Sequence, residues 1–99
     1  VIMSHIMKPY NYPVTIKILY EKEAKEAPYI AYIPEFDVSS CGKTEIEAIK
    51  NVNQTLEITI EEVKRKGNLE EFLQESGISV KKSLFSFPKI IIQPFSFYL

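Results

Sequence analysis

The segment from Thr44 to Gly67 constrains this fold most, because it carries the start, periodicity and stop signals of one long amphipathic helix. Thr44 is a good N-cap residue, and Glu47 three positions later completes a capping box. Acidic residues in the first turn and basic residues in the last turn suit the helix dipole, and Gly67 is the expected C′ residue. Apolar residues recur between them at spacings of three and four: Ile49, Val52, Leu56, Ile60 and Val63.

The apolar face of this helix must pack against a second layer of secondary structure. The residues before the helix predict that this layer is a β-meander. Apolar residues occupy every second position from Val14 to Tyr20, which indicates a strand with one buried face. Residues 29–33 alternate in the same way after a charged segment that ends at Pro28, so we expect a hairpin. Residues 38–41 are predicted as a third strand, in which Cys41 is expected to be a small buried residue.

The chain beyond the long helix predicts a shorter helix and then β structure. Asn68 is the expected cap of the second helix, Leu69, Phe72 and Leu73 are expected to face inward, and Gly77 stops it. Residues 84–99 are apolar and aromatic, with prolines at 88 and 94 that each remove a ladder donor. We expect a strand over residues 89–93 and a second extended piece after it. The predicted fold is therefore α+β, antiparallel β-β-β-α-(α)-β, with one long helix packed on a sheet in two layers.

Length and composition set further bounds. A chain of 99 residues supports one core, so residues 13–99 are predicted to form a single domain with a C-terminal β tail. Residues 1–12 show no clean period and are predicted to be an N-terminal extension. The formal net charge of −1 argues against a protein that grips nucleic-acid backbone, so direct DNA binding is not expected. One cysteine excludes an intramolecular disulfide and a cysteine zinc site, which favours a cytoplasmic location. No stretch approaches the ~20 apolar residues of a membrane span, so no membrane partner is expected.

Two segments together resemble the HicB antitoxin-like family. Residues 29–37, YIAYIPEFD, are similar to the family's strand of the form Tyr-x-Ala-x-x-Pro-Asp, and residues 42–49, GKTEIEAI, are similar to the Gly-Asp-Thr-x-x-Glu-Ala that opens its long helix. Glu35 and Lys43 stand where the family has Asp, and the family's Pro-Gly-Cys is absent, so Cys41 is not the family's cysteine. The resemblance covers residues 14–75, and the matching residues are Tyr29, Ala31, Pro34, Gly42, Thr44, Glu47 and Ala48.

The resemblance implies a degenerate RNase H-like fold and a protein-binding function. Better-known members neutralise HicA toxins, which are small RNA-cleaving proteins, so it implies an antitoxin domain with a small basic toxin as partner. The alternative is an orphan HicB-like oligomeric protein with a binding or regulatory role and no toxin partner. Many members also carry a C-terminal helix-turn-helix or ribbon-helix-helix module, but no helical period of that length follows Gly77.

An enzymatic function is not expected. RNase H chemistry needs several carboxylates around divalent metals, one of them from the centre of the first strand, where this chain has Thr15 and Lys17. Glu35 and Asp37 are an acidic pair beside a strand end, and two carboxylates seldom complete a metal site. We therefore predict no catalytic, cofactor-binding or metal-binding residues. A metal-dependent nuclease built on this pair is the remaining enzymatic alternative.

Two binding surfaces are predicted instead. Glu35, Phe36 and Asp37 are predicted to contact the partner, because acidic loop residues complement the basic surface of an RNA-cleaving toxin. The apolar tail is predicted to form the interface of a homo-oligomer, a dimer or higher, because a bare apolar strand must be covered. The alternative is that the tail completes the chain's own sheet. The predicted interface residues are Phe87, Ile90, Ile91, Ile92, Phe95 and Phe97.

Overall fold

A computed structural model describes residues 13–81, 84–86 and 88–99 of the chain. It confirms a mixed α+β protein in which a three-stranded antiparallel sheet is combined with two helices. The N-terminal extension predicted over residues 1–12 lies outside the described residues. The elements in chain order are β1 (Lys17–Tyr20), β2 (Tyr29–Ile33), β3 (Val38–Gly42), α1 (Glu45–Arg65), α2 (Leu69–Glu75), β4 (Ser79–Lys81) and β5 (Leu84–Ser86).

The sheet has the order β1-β2-β3, as the predicted meander requires. Ile18 pairs with Ala31, which pairs with Ser40, so this row of side chains shares the face that α1 covers. The alternation predicted that the first strand begins at Val14, but the strand begins at Lys17. The reason is that the backbone N–H of Thr15 donates to the Glu35 side chain and not to a neighbouring strand. Val14 nevertheless packs against the core.

Helix α1 begins at the predicted capping box. The Thr44 Oγ1 accepts a hydrogen bond from the Glu47 N–H at 3.0 Å, and the Glu47 Oε1 accepts one from the Lys43 N–H at 3.1 Å. Val52 of the predicted apolar face is fully buried, and so is Ala48, which lies beside that face. Leu56, Ile60 and Val63 are only half-buried, because a helix of 21 residues spans about 32 Å and extends beyond strands of four and five residues.

Gly42 sets how closely α1 approaches the sheet. A Cβ atom at this position would lie 2.5 Å from the backbone N of Ala48 and 2.9 Å from the backbone C of Glu47. Any side chain there would therefore push the helix away from β3. The two small residues, Gly42 and Ala48, thus allow the first turn of α1 to lie directly on the sheet.

Both helices end in a Schellman motif. The Gly67 N–H donates to the Lys64 carbonyl and the Asn68 N–H to the Val63 carbonyl, with Gly67 at φ +76°. Asn68 was predicted to cap α2 with its side chain, but it makes no side-chain cap bond. Its backbone N–H closes α1 while its carbonyl accepts from the Phe72 N–H, so the short connection serves both helices through main-chain groups.

The core lies between the sheet, the first half of α1 and α2. Leu73 is buried while Leu69 and Phe72 pack against the core, so the predicted inward face of α2 is confirmed. Ile78 follows the helix and is also buried, with its N–H bonded to the Leu73 carbonyl. The buried residues are Ala31, Ile33, Phe36, Ala48, Val52, Leu73 and Ile78.

The predicted strand over residues 89–93 is wrong. The β structure of the C-terminal part is a separate two-stranded sheet in which β4 pairs antiparallel with β5. Residues 88–99 carry no regular secondary structure. Pro88 and Pro94 bracket the predicted strand and leave a short run of available donors, whereas the hairpin lies entirely before Pro88. The last β elements thus form a separate pair that contacts α2 and are not part of the three-stranded sheet.

Candidate binding surface

The turn Pro34–Asp37 between β2 and β3 holds the three residues predicted to contact a partner. The Phe36 N–H donates to the Ile33 carbonyl and the Asp37 N–H to the Pro34 carbonyl, both at 3.3 Å. Asp37 adopts φ +53°, a left-handed conformation that Asp tolerates better than most residues. The turn thereby buries the side chain of Phe36 and exposes that of Asp37.

Glu35 holds the turn to the residues before β1. Its Oε1 accepts from the Thr15 N–H at 2.9 Å and its Oε2 from the Thr15 hydroxyl at 2.7 Å, across 20 positions of the chain. Partial burial raises the pKa of the Glu35 carboxyl, but the hydrogen bonds from Thr15 and from its own backbone outweigh burial, so the pKa lies below its ordinary value of 4.5. Glu35 is therefore a charged residue with both carboxylate oxygens engaged.

Asp37 is the exposed carboxylate of the turn. Its Oδ1 accepts a hydrogen bond from the Tyr32 hydroxyl at 2.9 Å. This bond raises the pKa of Tyr32 above 10.0, with further contributions from burial and from the charge of Asp37. The bond holds the acidic side chain at the border of the sheet, where it faces solvent.

Phe36 points into the protein. It is 7% exposed, and its ring stacks on Phe72 of α2 at 5.4 Å between centroids. Phe36 was predicted to contact the partner together with Glu35 and Asp37, whereas its ring lies in the core and the two carboxylates form the polar surface of the turn. One signal for this was available, since Ile33 and Phe36 are three positions apart and one tight turn puts both on the same side.

The sheet face opposite α1, which the predicted two-layer fold leaves without cover, is a second candidate surface. In the register, Leu19, Ile30 and Cys41 form one row and Lys17, Tyr32 and Ser39 the next. We call these six residues the open face, because they lie on the side of the sheet opposite α1 and four of them, Lys17, Leu19, Ser39 and Cys41, are exposed. Leu19 is 51% exposed, and the Cys41 thiol is exposed and not buried as predicted. Cys41 is exposed because its strand directs alternate residues, Ser40 and Gly42, towards α1.

The open face and the acidic turn are continuous through Tyr32. Its ring belongs to the open face and its hydroxyl binds Asp37. Leu19 and Ile30 form an apolar centre, the Asp37 carboxylate lies at its border, and Lys17 lies in the same row as Tyr32. An apolar centre with charged groups at its border is the general composition of a protein-binding patch.

The residues predicted for an oligomer interface are strongly exposed. We call residues 88–99 the tail; they pair with no strand of the described chain. Phe87 lies outside the described residues. The exposed fractions are 43% for Ile90, 69% for Ile91, 92% for Ile92, 80% for Phe95 and 66% for Phe97.

The described residues were also compared with the requirements of a metal site and of a membrane-spanning helix. Among residues 13–81, 84–86 and 88–99, no three His, Cys, Asp or Glu side chains lie close enough to hold a metal ion. In the same part of the chain, neither helix has the length and apolarity needed to cross a bilayer. Comparisons with family models, with curated proteins and with solved structures find no match for this chain.

Proposed function

We propose that this chain is a HicB-like antitoxin domain that binds and neutralises a small, basic, RNA-cleaving toxin. The proposal draws first on the resemblance, whose two halves lie on β2 and at the junction of β3 with α1. Tyr29 of the first half pairs with Gly42 of the second, and Gly42 lies against the backbone of Ala48. Tyr29, Gly42 and Ala48, from both halves of the resemblance, therefore lie together where α1 approaches the sheet.

The observation that carries the proposal is the anchored acidic turn. Its backbone is held by the Glu35–Thr15 hydrogen bonds on one side and by the buried Phe36 ring on the other. A preorganised turn loses little conformational entropy on binding, so the exposed charge of Asp37 contributes more fully to recognition. A carboxylate complements the basic surface that an RNA-cleaving protein presents to phosphate.

The second candidate is an orphan HicB-like oligomeric protein without a toxin partner. The strong exposure of Ile92 and Phe95 in the tail favours self-association independently of the acidic turn. The two candidates use different surfaces, which makes them separable by experiment.

A pull-down of the tagged full chain from its native host, read by mass spectrometry, tests the proposal. We expect a small basic protein to co-purify with the wild type and to be lost with Asp37→Lys. Glu57→Lys is the matched control, because it makes the same charge reversal at an exposed position of α1. The captured protein should cleave RNA, and adding the wild-type chain should suppress the cleavage.

The proposal fails if no small basic protein is enriched, or if Asp37→Lys and Glu57→Lys retain the same partner equally well. A dimer that captures no toxin would favour the orphan protein. RNA cleavage by the purified chain itself with magnesium, lost in Glu35→Ala, would instead support the nuclease alternative.

A further inference from the structure

We propose that the tail of one copy binds a second copy of this chain as an added strand along the outer edge of β1. The starting observation is the amount of apolar surface that the tail leaves in water. Tyr98 and Leu99 are fully exposed and Phe95 is 80% exposed. Phe and Tyr side chains can each bury ~150–250 Å², so the three tail aromatics alone carry roughly 500 Å². This is comparable to the largest apolar patch of a typical monomer.

The tail has the properties of a strand that lacks a neighbour. The rings of Phe95 and Phe97 lie 6.2 Å apart and are inclined by 29°, so alternate side chains stand on one side. Phe and Tyr favour strands, and residues 95–99 contain no proline. Pro94 lacks an N–H and suits the first position of a strand. A strand over residues 95–99 would be long enough to pair with all four residues of β1.

The first residue of the tail, Pro88, is positioned by packing against Gly77. A Cβ atom added at Gly77 would lie 3.4 Å from the Pro88 Cγ. Gly77 ends α2 at φ +84°. The tail therefore leaves the domain from the end of α2, and beyond Pro88 every one of its residues is exposed.

The outer edge of β1 is the better acceptor of the two sheet edges. On the other edge, α1 packs against β3, and the Asn51 amide donates to the Cys41 carbonyl at 2.9 Å. No described strand pairs with the outer side of β1. An unpaired edge binds an extended peptide through main-chain hydrogen bonds, and Lys17 is the only charged residue of this strand. Leu19 and Tyr20 are 51% and 64% exposed, so an added strand would cover an apolar residue on each face.

A second copy is the occupant because one chain carries both the donor strand and the acceptor edge. Reciprocal exchange gives a closed twofold dimer in which each tail is used once. Two tails that each bury about 500 Å² against a similar acceptor area would remove roughly 2,000 Å² from water, which reaches the ~1,200–2,000 Å² of stable interfaces. The inference does not depend on the proposed function, since it uses neither Asp37 nor a toxin.

Sedimentation equilibrium of the full chain and its variants tests this inference. We expect a wild-type dimer whose dissociation constant rises at least ~100-fold in Phe95→Ser/Phe97→Ser and in Leu19→Lys. Ile58→Ser is the control, because it removes a side chain of α1 that is 68% exposed and should leave the dimer intact. All four positions are exposed, so circular dichroism should report the same fold throughout.

A photo-crosslinking residue at Phe97 tests which surface the tail binds. Mass spectrometry should locate the intermolecular crosslinks on residues 17–20 of the second copy. A monomeric wild type, an unchanged dimer in the Phe95→Ser/Phe97→Ser variant, or crosslinks confined to two tails would each overturn the proposal.

Discussion

Thr15 donates both its backbone N–H and its hydroxyl to the carboxylate of Glu35, at 2.9 Å and 2.7 Å. This pair joins the residues before β1 to the turn after β2 and replaces the strand pairing that the alternation predicted at this position. It also fixes the backbone of the acidic turn, so the stability of the fold and the shape of the proposed binding surface depend on the same contact.

Removing the hydroxyl in Thr15→Val should destabilise the protein by about 1–2 kcal/mol, because a hydrogen bond to a charged group is lost from a partly buried site. Urea denaturation followed by circular dichroism measures the change. Thr55→Val is the matched control, since the Thr55 hydroxyl donates only to a carbonyl of its own helix. Equal destabilisation by the two substitutions would show that the link to Glu35 contributes little.

Acidification should weaken the fold through Glu35. Its pKa in the folded protein lies below 4.5, so its contribution is present above its unfolded pKa and is lost as the pH falls through the lower, folded value. We expect the wild type to lose more stability below pH 4.5 than Glu35→Gln, which has no charge to titrate there. Thermal melts across that range provide the comparison, and parallel pH profiles for the two proteins would contradict it.

Gly42→Ala should be more harmful than Gly67→Ala. The added methyl group at 42 meets the backbone of α1 at 2.5 Å, and moving a packed helix costs about 1–3 kcal/mol or more. At 67 the space is open and only the positive φ is strained, at about 1–2 kcal/mol. Chemical denaturation of both variants measures the order. The reverse order would mean that α1 can shift on the sheet without difficulty.

Phe36→Ala should reduce stability by about 3–5 kcal/mol, because it leaves a cavity beside Phe72. Phe36→Leu should retain most of the stability and, if the ring serves only the core, bind the partner as the wild type does. Denaturation midpoints and partner retention on a pull-down column separate the two roles. Loss of partner binding by a stable Phe36→Leu protein would show that the Phe36 ring contributes to the partner interface.

The long helix is the part of the fold that local sequence determines. Its cap at Thr44 and its end at Gly67 depend on hydrogen bonds within a few residues, and its buried positions follow from helical spacing. The strand β2 was predictable for a similar reason, because alternation over five residues specifies which side chains share a face. The strand β3 was predicted only as a short β-compatible segment, and the sequence did not show which of its side chains are buried.

Contacts between distant residues decided the remainder. The start of β1 depends on a carboxylate 20 positions away, the burial of Phe36 depends on α2, and the exposure of Cys41 depends on the side of the sheet that α1 occupies. The tail shows the limit most clearly, since its composition predicts a strand but no described strand lies beside it. A helix satisfies its own backbone hydrogen bonds, whereas a strand needs a neighbour, and only the tertiary or quaternary arrangement supplies one.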